Sequence, residues 1–265
     1  MSKQKKRLFI IDGMALIYRA HFAMIRNPLT SKNGQHTSAI YGLASSIFKL
    51  IKDENPDYLV IAMDCREPTF RHEMYDLYKA NRESMPEELV SQLDYIDEMI
   101  HAMNIPILKK PGFEADDIMG TLSASASDKN IDTYLVSGDK DLMQVVTDNV
   151  FLYTPGNRFK PTTIYGKDEV KEKWGVFPDK MIEFLALLGD SSDNIPGVDG
   201  IGKKTAAKLL DEYGDIEVIL KNIDNIKNSR VRNGLSNGKN TLDLSLKLVS
   251  IDMNVDIPIS LESLT

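Results

Sequence analysis

Short apolar, β-branched segments alternate with longer amphipathic segments along much of the chain. The short segments predict strands at Leu8–Ile11, Tyr58–Met63, Ile105–Leu108, Thr133–Val136 and Val150–Tyr153. The longer segments predict helices at about 37–54, 86–103, 115–129 and 139–146. This alternation is typical of an α/β fold with a doubly wound, mostly parallel sheet, in which right-handed crossovers bring the carboxyl ends of the strands to one edge. Ligands bind at that edge in such folds.

Two segments depart from this pattern. Residues 65–85 are charged and aromatic, and they follow the second predicted strand directly, so they leave the sheet at the edge where ligands bind. Aromatic residues interleaved with cations favour a functional insertion there over a plain surface helix. From about residue 166 the strand pattern stops, and Gly and Pro separate short amphipathic helices. We therefore divide the chain into an α/β domain at 1–174 and a helical subdomain at 175–265.

Acidic residues follow or end several of the predicted elements. The nine carboxylates belong to Asp12, Asp64, Glu114, Asp116, Asp117, Asp139, Asp141, Asp190 and Asp193. Gathered at one sheet edge they would repel, and like charges would keep some of them protonated. Divalent cations relieve the repulsion, and hard oxygen ligands select Mg²⁺ or Mn²⁺. An acid-lined site that holds two such ions is the usual apparatus for hydrolysing phosphodiesters.

Each acidic stretch has a simpler structural interpretation when it stands alone. The acids of FEADD suit the first turn of a helix, although three acids in four residues exceed what capping needs and favour ligation by at least two. Asp139 and Asp141 fit an Asx turn, and Asp12 fits a turn after its strand. Asp190 and Asp193 stand at a predicted helix end, where they share a face and negative charge is unfavourable. That penalty suggests a compensating cation.

The segment IPGVDGIGKKTAAKLL joins two predicted helices through a glycine-rich turn. It is not a Walker loop, because Lys204 occupies the Ser/Thr position, and it is not a Rossmann fingerprint, because Thr205 occupies a glycine position. Gly200 and Gly202 would let backbone N–H groups approach a phosphate, and the following helix adds its positive end and Lys203. We interpret the segment as a clamp on the backbone of duplex DNA. The alternative is an ordinary helix hairpin with glycine at its turn.

Aromatic residues lie beside cations at two places. Tyr78, Lys79 and Arg82 belong to the insertion, and Tyr18 and Arg19 follow the first predicted strand. Aromatic faces hold unpaired bases, and cations neutralise the phosphates of a single strand. The alternative for Tyr18 is core packing within the first helix.

Composition limits the class of protein. The net charge of −7 argues against a nucleic-acid partner, but the basic residues cluster and acids held by metal ions would be neutralised. Cys65 is the single cysteine, which excludes an internal disulfide, and the four histidines are scattered, which excludes Cys–His zinc spacing. No apolar run approaches the ~20 residues of a membrane span, and the start lacks a signal-peptide pattern. We expect a cytoplasmic protein without a membrane partner.

Several segments together carry a resemblance to a known family. They are FIIDGMALIYRAHFA, YKANRESMPEEL, GFEADDIMGTL, SGDKDLMQ, LLGDSSDNIPGVDGIGKKTAAKLL and LSLKLVSIDMNVDIP. Through them the chain resembles, over nearly its whole length, the 5′-nuclease domain at the amino end of bacterial DNA polymerase I, a relative of the flap endonucleases. The resemblance implies a two-metal nuclease that cuts near the junction of a 5′ flap with duplex DNA and has 5′→3′ exonuclease activity. It also implies a nucleoid-associated protein that works with a polymerase domain, in the same chain or another.

The resemblance further implies a role for individual residues. The first metal would be held by Asp12, Asp64, Glu114 and Asp116, with Asp117 supporting, and the second held or ordered by Asp139, Asp141, Asp190 and Asp193. The expected catalytic cations are Lys79, Arg82 and Arg19, and the expected DNA contacts are Tyr18, Tyr78, Gly197, Gly200, Gly202, Lys203, Lys204 and Thr205. The segment at about 65–100 would form a helical arch over the site. The carbonyls of the hairpin resemble a K⁺ site.

Two other functions compete with a nuclease. A catalytically silent module that binds branched DNA would lack some of the carboxylates, and the set is intact. A small-molecule phosphatase that used Asp12 as nucleophile would want a second acid two residues later, where Met14 stands, and it would leave the basic hairpin without a role.

Overall fold

A six-stranded sheet forms the centre of the α/β part, in a computed structural model that describes residues 5–157 and 159–257. Its strands are β1 (Arg7–Asp12), β2 (Tyr58–Ala62), β3 (Ile107–Leu108), β4 (Asp132–Val136), β5 (Val150–Thr154) and β6 (Thr163–Tyr165). The strand order is β3-β2-β1-β4-β5-β6, and every pair is parallel except β5–β6. The carboxyl ends of β2, β1 and β4 therefore lie side by side. This confirms the predicted parallel sheet.

Helices cover both faces of the sheet and form most of the described chain after residue 166. They are α1 (Gly13–Ala23), α2 (Ser38–Glu54), α3 (Phe70–Met74), α4 (Glu87–Val90), α5 (Leu93–Ala102), α6 (Ala115–Asp128), α7 (Lys167–Trp174), α8 (Met181–Leu188), α9 (Lys203–Tyr213), α10 (Ile216–Lys221), α11 (Ser229–Asn237) and α12 (Lys239–Val249). None of these helices is both long enough and apolar enough to cross a membrane.

The central strand β1 shows why the sheet needs helices on both sides. Its residues Leu8, Phe9, Ile10 and Ile11 are all fully buried. Because successive side chains point to opposite faces, Phe9 and Ile11 pack with α1, α2 and α5, whereas Leu8 and Ile10 pack with α6 and the helices that follow residue 166. The helical subdomain thus shares a core with one face of the sheet.

Two predicted helices were wrong in detail, and one strand was missed. The helix at 86–103 is interrupted, because the buried Gln92 accepts a hydrogen bond from Ala39 N (2.9 Å) and donates to Glu88 O (2.7 Å) between α4 and α5. The helix at 139–146 is a short 3₁₀ turn, Asp141–Val145. Strand β6 was not predicted, since it is a short, mostly exposed edge strand.

The expected helical arch at about 65–100 is helical only in part. After α3, residues 75–82 form successive turns, and an extended stretch runs from there to α4. Lys79 has a φ of +55°, in the left-handed region that does not continue a helix. The backbone of Lys79 is fixed instead by a hydrogen bond from its N–H to Asp193 O (2.9 Å). The insertion is thus tied to the helical subdomain.

Candidate active site

A cavity of about 1020 Å³ opens at the carboxyl edge of the sheet. Six of the nine predicted carboxylates line it, and these are Asp12, Asp64, Glu114, Asp116, Asp139 and Asp193. They come from the ends of β1, β2 and β4, from the start of α6 and from the turn after α8. The parallel sheet is the reason that residues so distant in sequence meet there.

Two carboxylates are fixed by backbone N–H groups, and one of them, Asp12, also by a side chain. Asp12 begins α1 as its N-cap, accepting from Ala15 N (3.0 Å), and its other oxygen accepts from Ser137 Oγ (2.8 Å). Asp64 accepts from Ala115 N (2.8 Å), which ties the end of β2 to the start of α6. Burial raises the pKa of Asp12 to about 6 and also raises the pKa of Asp64. Neighbouring carboxylates add to both shifts.

Two further carboxylates lack hydrogen-bond partners among the described residues. Burial, with Asp139 and Asp12 nearby, holds the pKa of Asp116 well above its usual range. Burial and Asp139 raise the pKa of Asp141 to about 7, and the buried Oδ1 of Asp141 accepts no hydrogen bond from any described residue. Asp139 itself accepts from Asp141 N (2.9 Å), so the simpler Asx-turn interpretation holds for this pair as well. Buried, crowded and unsatisfied carboxylates suit a hard divalent cation.

Cations of the chain balance part of this charge. Lys79 Nζ lies 2.6 Å from Glu114 Oε1 and 3.8 Å from Asp193 Oδ2, and Arg82 also donates to Asp193. Within residues 5–157 and 159–257, no three acidic, histidine or cysteine side chains stand close enough together to hold a metal ion as they are. The donor set fits divalent metal ions by its chemistry, and ligation by Glu114 or Asp193 would require them to leave their ion pairs with Lys79 and Arg82.

Asp117 does not line the cavity, which corrects its assignment among the metal carboxylates. It is fully buried and forms a two-bond ion pair with Arg71, each bond 2.8 Å long. Its oxygens also accept from Glu114 N (3.0 Å) and Asp252 N (2.8 Å). With both oxygens engaged twice, Asp117 holds the start of α6 in place and has no free position for a metal.

Asp190 and Asp193 do not share a helix face, contrary to the sequence prediction. Helix α8 ends at Leu188, and both residues lie in a turn closed by paired bonds between Asp190 and Ile195. Asp193 faces the cavity, whereas Asp190 binds Lys140. Burial acts to raise the pKa of Asp190, but the bonds from Lys140 and Ser192 outweigh it and lower the net value. The cation that the sequence led us to expect beside these acids is therefore, at Asp190, the side-chain amino group of Lys140.

Tyr78 is not available as a stacking platform. Its ring is 4% exposed, and its hydroxyl lies 3.1 Å from Glu114 Oε2 and 3.4 Å from Asp193 Oδ2. Tyr18, by contrast, lines the cavity and is only partly buried, with its ring stacked on Phe22. Arg19 lies outside that cavity, beside Asp139 and Lys140, and donates to Gly156 O.

The glycine-rich hairpin at residues 189–202 joins α8 to α9. Gly200 has a φ of +79°, and Gly202 is the exposed N-cap of α9 with open space where a side chain would be. Gly197 serves packing, because an added Cβ would lie 2.3 Å from Leu188 O. Gly200 is therefore required by conformation, Gly197 by close approach, and Gly202 leaves the N-terminal backbone of α9 open.

The two hairpin lysines differ. Lys204 is exposed at the start of α9, with Thr205 half-buried behind it. Lys203 is exposed too, but its Nζ donates to Lys173 O (2.6 Å) and lies 4.3 Å from the centre of the Trp174 ring. Only Lys204 extends into solvent without such an anchor among the described residues.

Family models match the chain from residue 7 to its end. One, described as the N-terminal resolvase-like domain of 5′-3′ exonuclease, matches residues 7–175, and another, described as its C-terminal SAM fold, matches residues 176–265. The chain belongs to the 5′-3′ exonuclease family.

Relatives in this family occur in two contexts. The chain is 40% identical over 259 residues to the 5′-3′ exonuclease of Aquifex aeolicus, covering 98% of this chain and 86% of that protein. It is 41% identical over 260 residues to DNA polymerase I of Caldicellulosiruptor bescii, covering 97% of this chain but 30% of the polymerase. The chain thus spans less than a third of the polymerases that it matches.

Solved structures show the same fold at lower identity. The T5 D15 protein co-crystallised with metal ions matches with a TM-score of 0.76 and 23% identity, covering 94% of this chain and 90% of that one. The catalytic core of Rad2 in complex with DNA substrate matches with a TM-score of 0.62 and 17% identity, covering 97% and 81%. A mostly parallel sheet with a helical C-terminal part is therefore common to these proteins and to this member of the family.

Sequence reasoning missed three polar residues that organise the acids. Ser137 holds Asp12, Lys140 binds Asp190, and Arg71 binds Asp117. Lys140 stands inside the SGDKDLMQ segment, and its position between two acids was an available signal. The local sequence carried no comparable signal for Ser137 or Arg71, because their partners lie 125 and 46 positions away.

Proposed function

We propose that this protein hydrolyses DNA phosphodiesters at 5′ flaps and 5′ ends, with the help of divalent metal ions. The observation that carries the proposal is the cavity lined by six of the nine predicted carboxylates, together with Lys79 and Arg82. A small acidic substrate would meet net repulsion there, whereas a phosphodiester brought in with metal ions would be attracted.

The metal ions would be Mg²⁺ or Mn²⁺, held by oxygen ligands. The candidate ligands are Asp12, Asp64, Glu114 and Asp116 for one ion and Asp139, Asp141, Asp190 and Asp193 for the other. Bound divalent ions lower the pKa of a coordinated water and offset charge on the transferring phosphoryl group. Two observations support this assignment: neighbouring carboxylates add to the raised pKa of Asp116, and Oδ1 of Asp141 accepts no hydrogen bond from any described residue.

The cations of the chain supply the remaining electrostatics. Lys79 and Arg82 line the cavity and form ion pairs with Glu114 and Asp193. A phosphate that enters the cavity could therefore receive hydrogen bonds from these two side chains in place of the carboxylates. Positioned donors of this kind stabilise the charge that develops on a reacting phosphate. Arg19, beside Asp139, would contact the same strand from the other side.

The hairpin would grip the duplex part of the substrate. Its exposed backbone at Gly202, the N-terminus of α9 and the side chain of Lys204 suit phosphate groups and read no base sequence. We further propose that the hairpin carbonyls bind a K⁺ ion. We also propose that the protein works with a polymerase domain, in the same chain or another, and that it associates with the nucleoid.

A labelled flap tests the proposal directly. The protein is incubated with a duplex that carries a 5′-labelled flap, with Mg²⁺ or with EDTA, and the products are sized. We expect Mg²⁺-dependent release of the flap near its junction. Binding without cleavage in Mg²⁺ and in Mn²⁺ would instead identify the catalytically silent DNA-binding module.

A further inference from the structure

The C-terminal end of α12 lies against both acid-bearing parts of the candidate site. The last carbonyls of a helix have no partners within the helix and need others. Here Leu248 O, Val249 O and Ser250 O accept from side chains of the α/β domain, and those side chains are Arg71 and Gln144. Each belongs to, or is bonded to, a stretch that carries candidate metal ligands.

Arg71 makes the first of these connections. Its side chain is 3% exposed; Nε donates to Leu248 O (2.9 Å), and Nη2 donates to Ser250 O (2.6 Å). The same guanidinium holds Asp117, which in turn accepts from Glu114 N. A displacement of the end of α12 is therefore transmitted through buried, charge-assisted bonds to the first residues of α6, where Glu114 and Asp116 face the cavity.

Gln144 makes the second connection. Its Nε2 donates to Val249 O (2.9 Å), and its Oε1 accepts from Ile251 N (2.9 Å). Gln144 lies in the 3₁₀ turn that starts at Asp141, directly after Asp139. Arg71 and Gln144 thus bind alternate residues of one four-residue stretch of backbone, Leu248–Ile251.

Helix α12 also contacts the hairpin. Ser245 is fully buried, and its Oγ donates to Pro196 O (2.6 Å) in the loop between α8 and α9. The fully buried Phe184 of α8 belongs to the same core as Leu242 and Leu248 of α12. Helix α12 therefore contacts the proposed duplex clamp through its side and both acid-bearing stretches through its C-terminal end.

We propose that α12 couples duplex binding at the hairpin to the positions of the two carboxylate groups, with Ser245, Arg71 and Gln144 as positioning residues. The proposal rests on the proposed function of the hairpin as a duplex clamp. A purely structural role would make these bonds helix-end caps that stabilise the fold equally with and without DNA. A coupling role requires that duplex at the hairpin changes the behaviour of residues 114–117 and 139–146.

Amide hydrogen exchange on the full chain in EDTA separates the two roles without any need for cleavage. The ligand is a blunt duplex without a flap, and the variants are Gln144→Met and Ser245→Ala. Ser236→Ala is the matched control, because Ser236 makes only the bond to the carbonyl four residues earlier that Ser245 also makes. We expect duplex to slow exchange at 114–117 and 139–146 in the wild type and in the control, and to lose that effect in both variants.

Cleavage rates give a second readout. Flap substrates with stepwise longer duplex arms, cut under single-turnover conditions, should show a rate that rises with arm length. The rise should shrink roughly 5-fold or more in Gln144→Met and Ser245→Ala, while the rate on the shortest arm stays within about 2-fold of wild type.

The outcomes separate the two proposals. A wild type that binds no duplex would overturn the hairpin clamp and the coupling together. Duplex binding that leaves exchange at 114–117 and 139–146 unchanged would overturn the coupling alone. Coupling would also be overturned if the variants fold and still show both the slower exchange with duplex and the dependence of rate on arm length. The bonds of Ser245 and Gln144 would then only stabilise the fold.

Discussion

The carboxylate cavity and the glycine-rich hairpin satisfy their polar groups in opposite ways. In the cavity the important groups are carboxylates whose pKa is raised by burial and by neighbouring carboxylates, such as Asp116 and Asp12. In the hairpin they are exposed backbone groups and lysines at the start of α9. Buried electrostatic interactions are strong and depend on exact geometry, whereas exposed ones are weak, additive and screened by salt. From this difference we assign cleavage of the phosphodiester to the cavity and binding of the duplex to the hairpin.

The largest effect should follow removal of a cavity carboxylate. Asp116→Ala or Asp64→Ala should reduce the single-turnover cleavage rate by more than about 10³-fold, because each removes a candidate metal ligand. Affinity for flap DNA should stay close to that of wild type. Asp94→Asn is the control, since Asp94 lines the same cavity but is exposed at its rim. Near-normal turnover of either alanine variant would contradict the site.

A smaller loss should follow removal of a cation at the cavity wall. Lys79→Ala should slow cleavage by about 10²–10³-fold at saturating enzyme, the usual cost of one donor to a reacting group. Lys109→Ala is matched to it, because Lys109 also lines the cavity but pairs with Asp97. Equal cleavage rates for Lys79→Ala and Lys109→Ala would show that Lys79 has no special role in cleavage.

The candidate metal-binding carboxylates should also make the metal-free protein more stable in mild acid. Asp12 and Asp141 have pKa values of about 6 and about 7 in the folded state, against a usual value of 3.8. The folded state therefore binds more protons than the unfolded state between those values, and stability rises as the pH falls through that window. In EDTA the melting temperature should be higher at about pH 5.5 than at about pH 8. Asp12→Asn, which imitates the protonated form, should weaken the trend, and a trend of opposite sign would contradict the pKa shifts.

The smallest effects belong to the hairpin. Lys203→Ala/Lys204→Ala should weaken duplex binding evenly across sequences and reduce the log–log salt slope by roughly 1–2 units. Lys204→Ala should supply more of that change than Lys203→Ala, because Lys203 is already bonded to Lys173 O. Lys167→Ala is the control, because Lys167 lies on α7, away from the hairpin sequence, and forms an ion pair with Asp148. If the double variant has the same log–log salt slope as wild type, these hairpin lysines do not contact the duplex.

The sequence predicted the sheet and the meeting of the acids because both depend on local patterns. An apolar run that ends in an acid places that acid at the carboxyl edge of a parallel sheet, as Asp12 and Asp64 illustrate. The interruption at Gln92 was not predictable, because its side chain bonds to Ala39, 53 positions away. Local periodicity carries no information on such a contact.

The same limit explains the errors within the site. Asp116 and Asp117 are neighbours in a run of acids, yet one faces the cavity and the other is enclosed by Arg71. Tyr78 lies beside Lys79 in a segment that resembles a DNA-binding surface, yet its ring is buried between the insertion and the helical subdomain. Which member of an acidic or aromatic pair is functional depends on long-range packing that residue spacing does not encode.

The division between chemistry and grip is tested most directly by measuring rate and affinity together on one flap substrate. Lys79→Ala and Lys203→Ala/Lys204→Ala are compared with wild type by single-turnover rate at saturating enzyme in Mg²⁺ and by dissociation constant in EDTA. We predict a crossed result, in which Lys79→Ala loses rate and keeps affinity while the double variant loses affinity and recovers most of its rate at saturation. Parallel losses of rate and affinity in both variants would contradict the account.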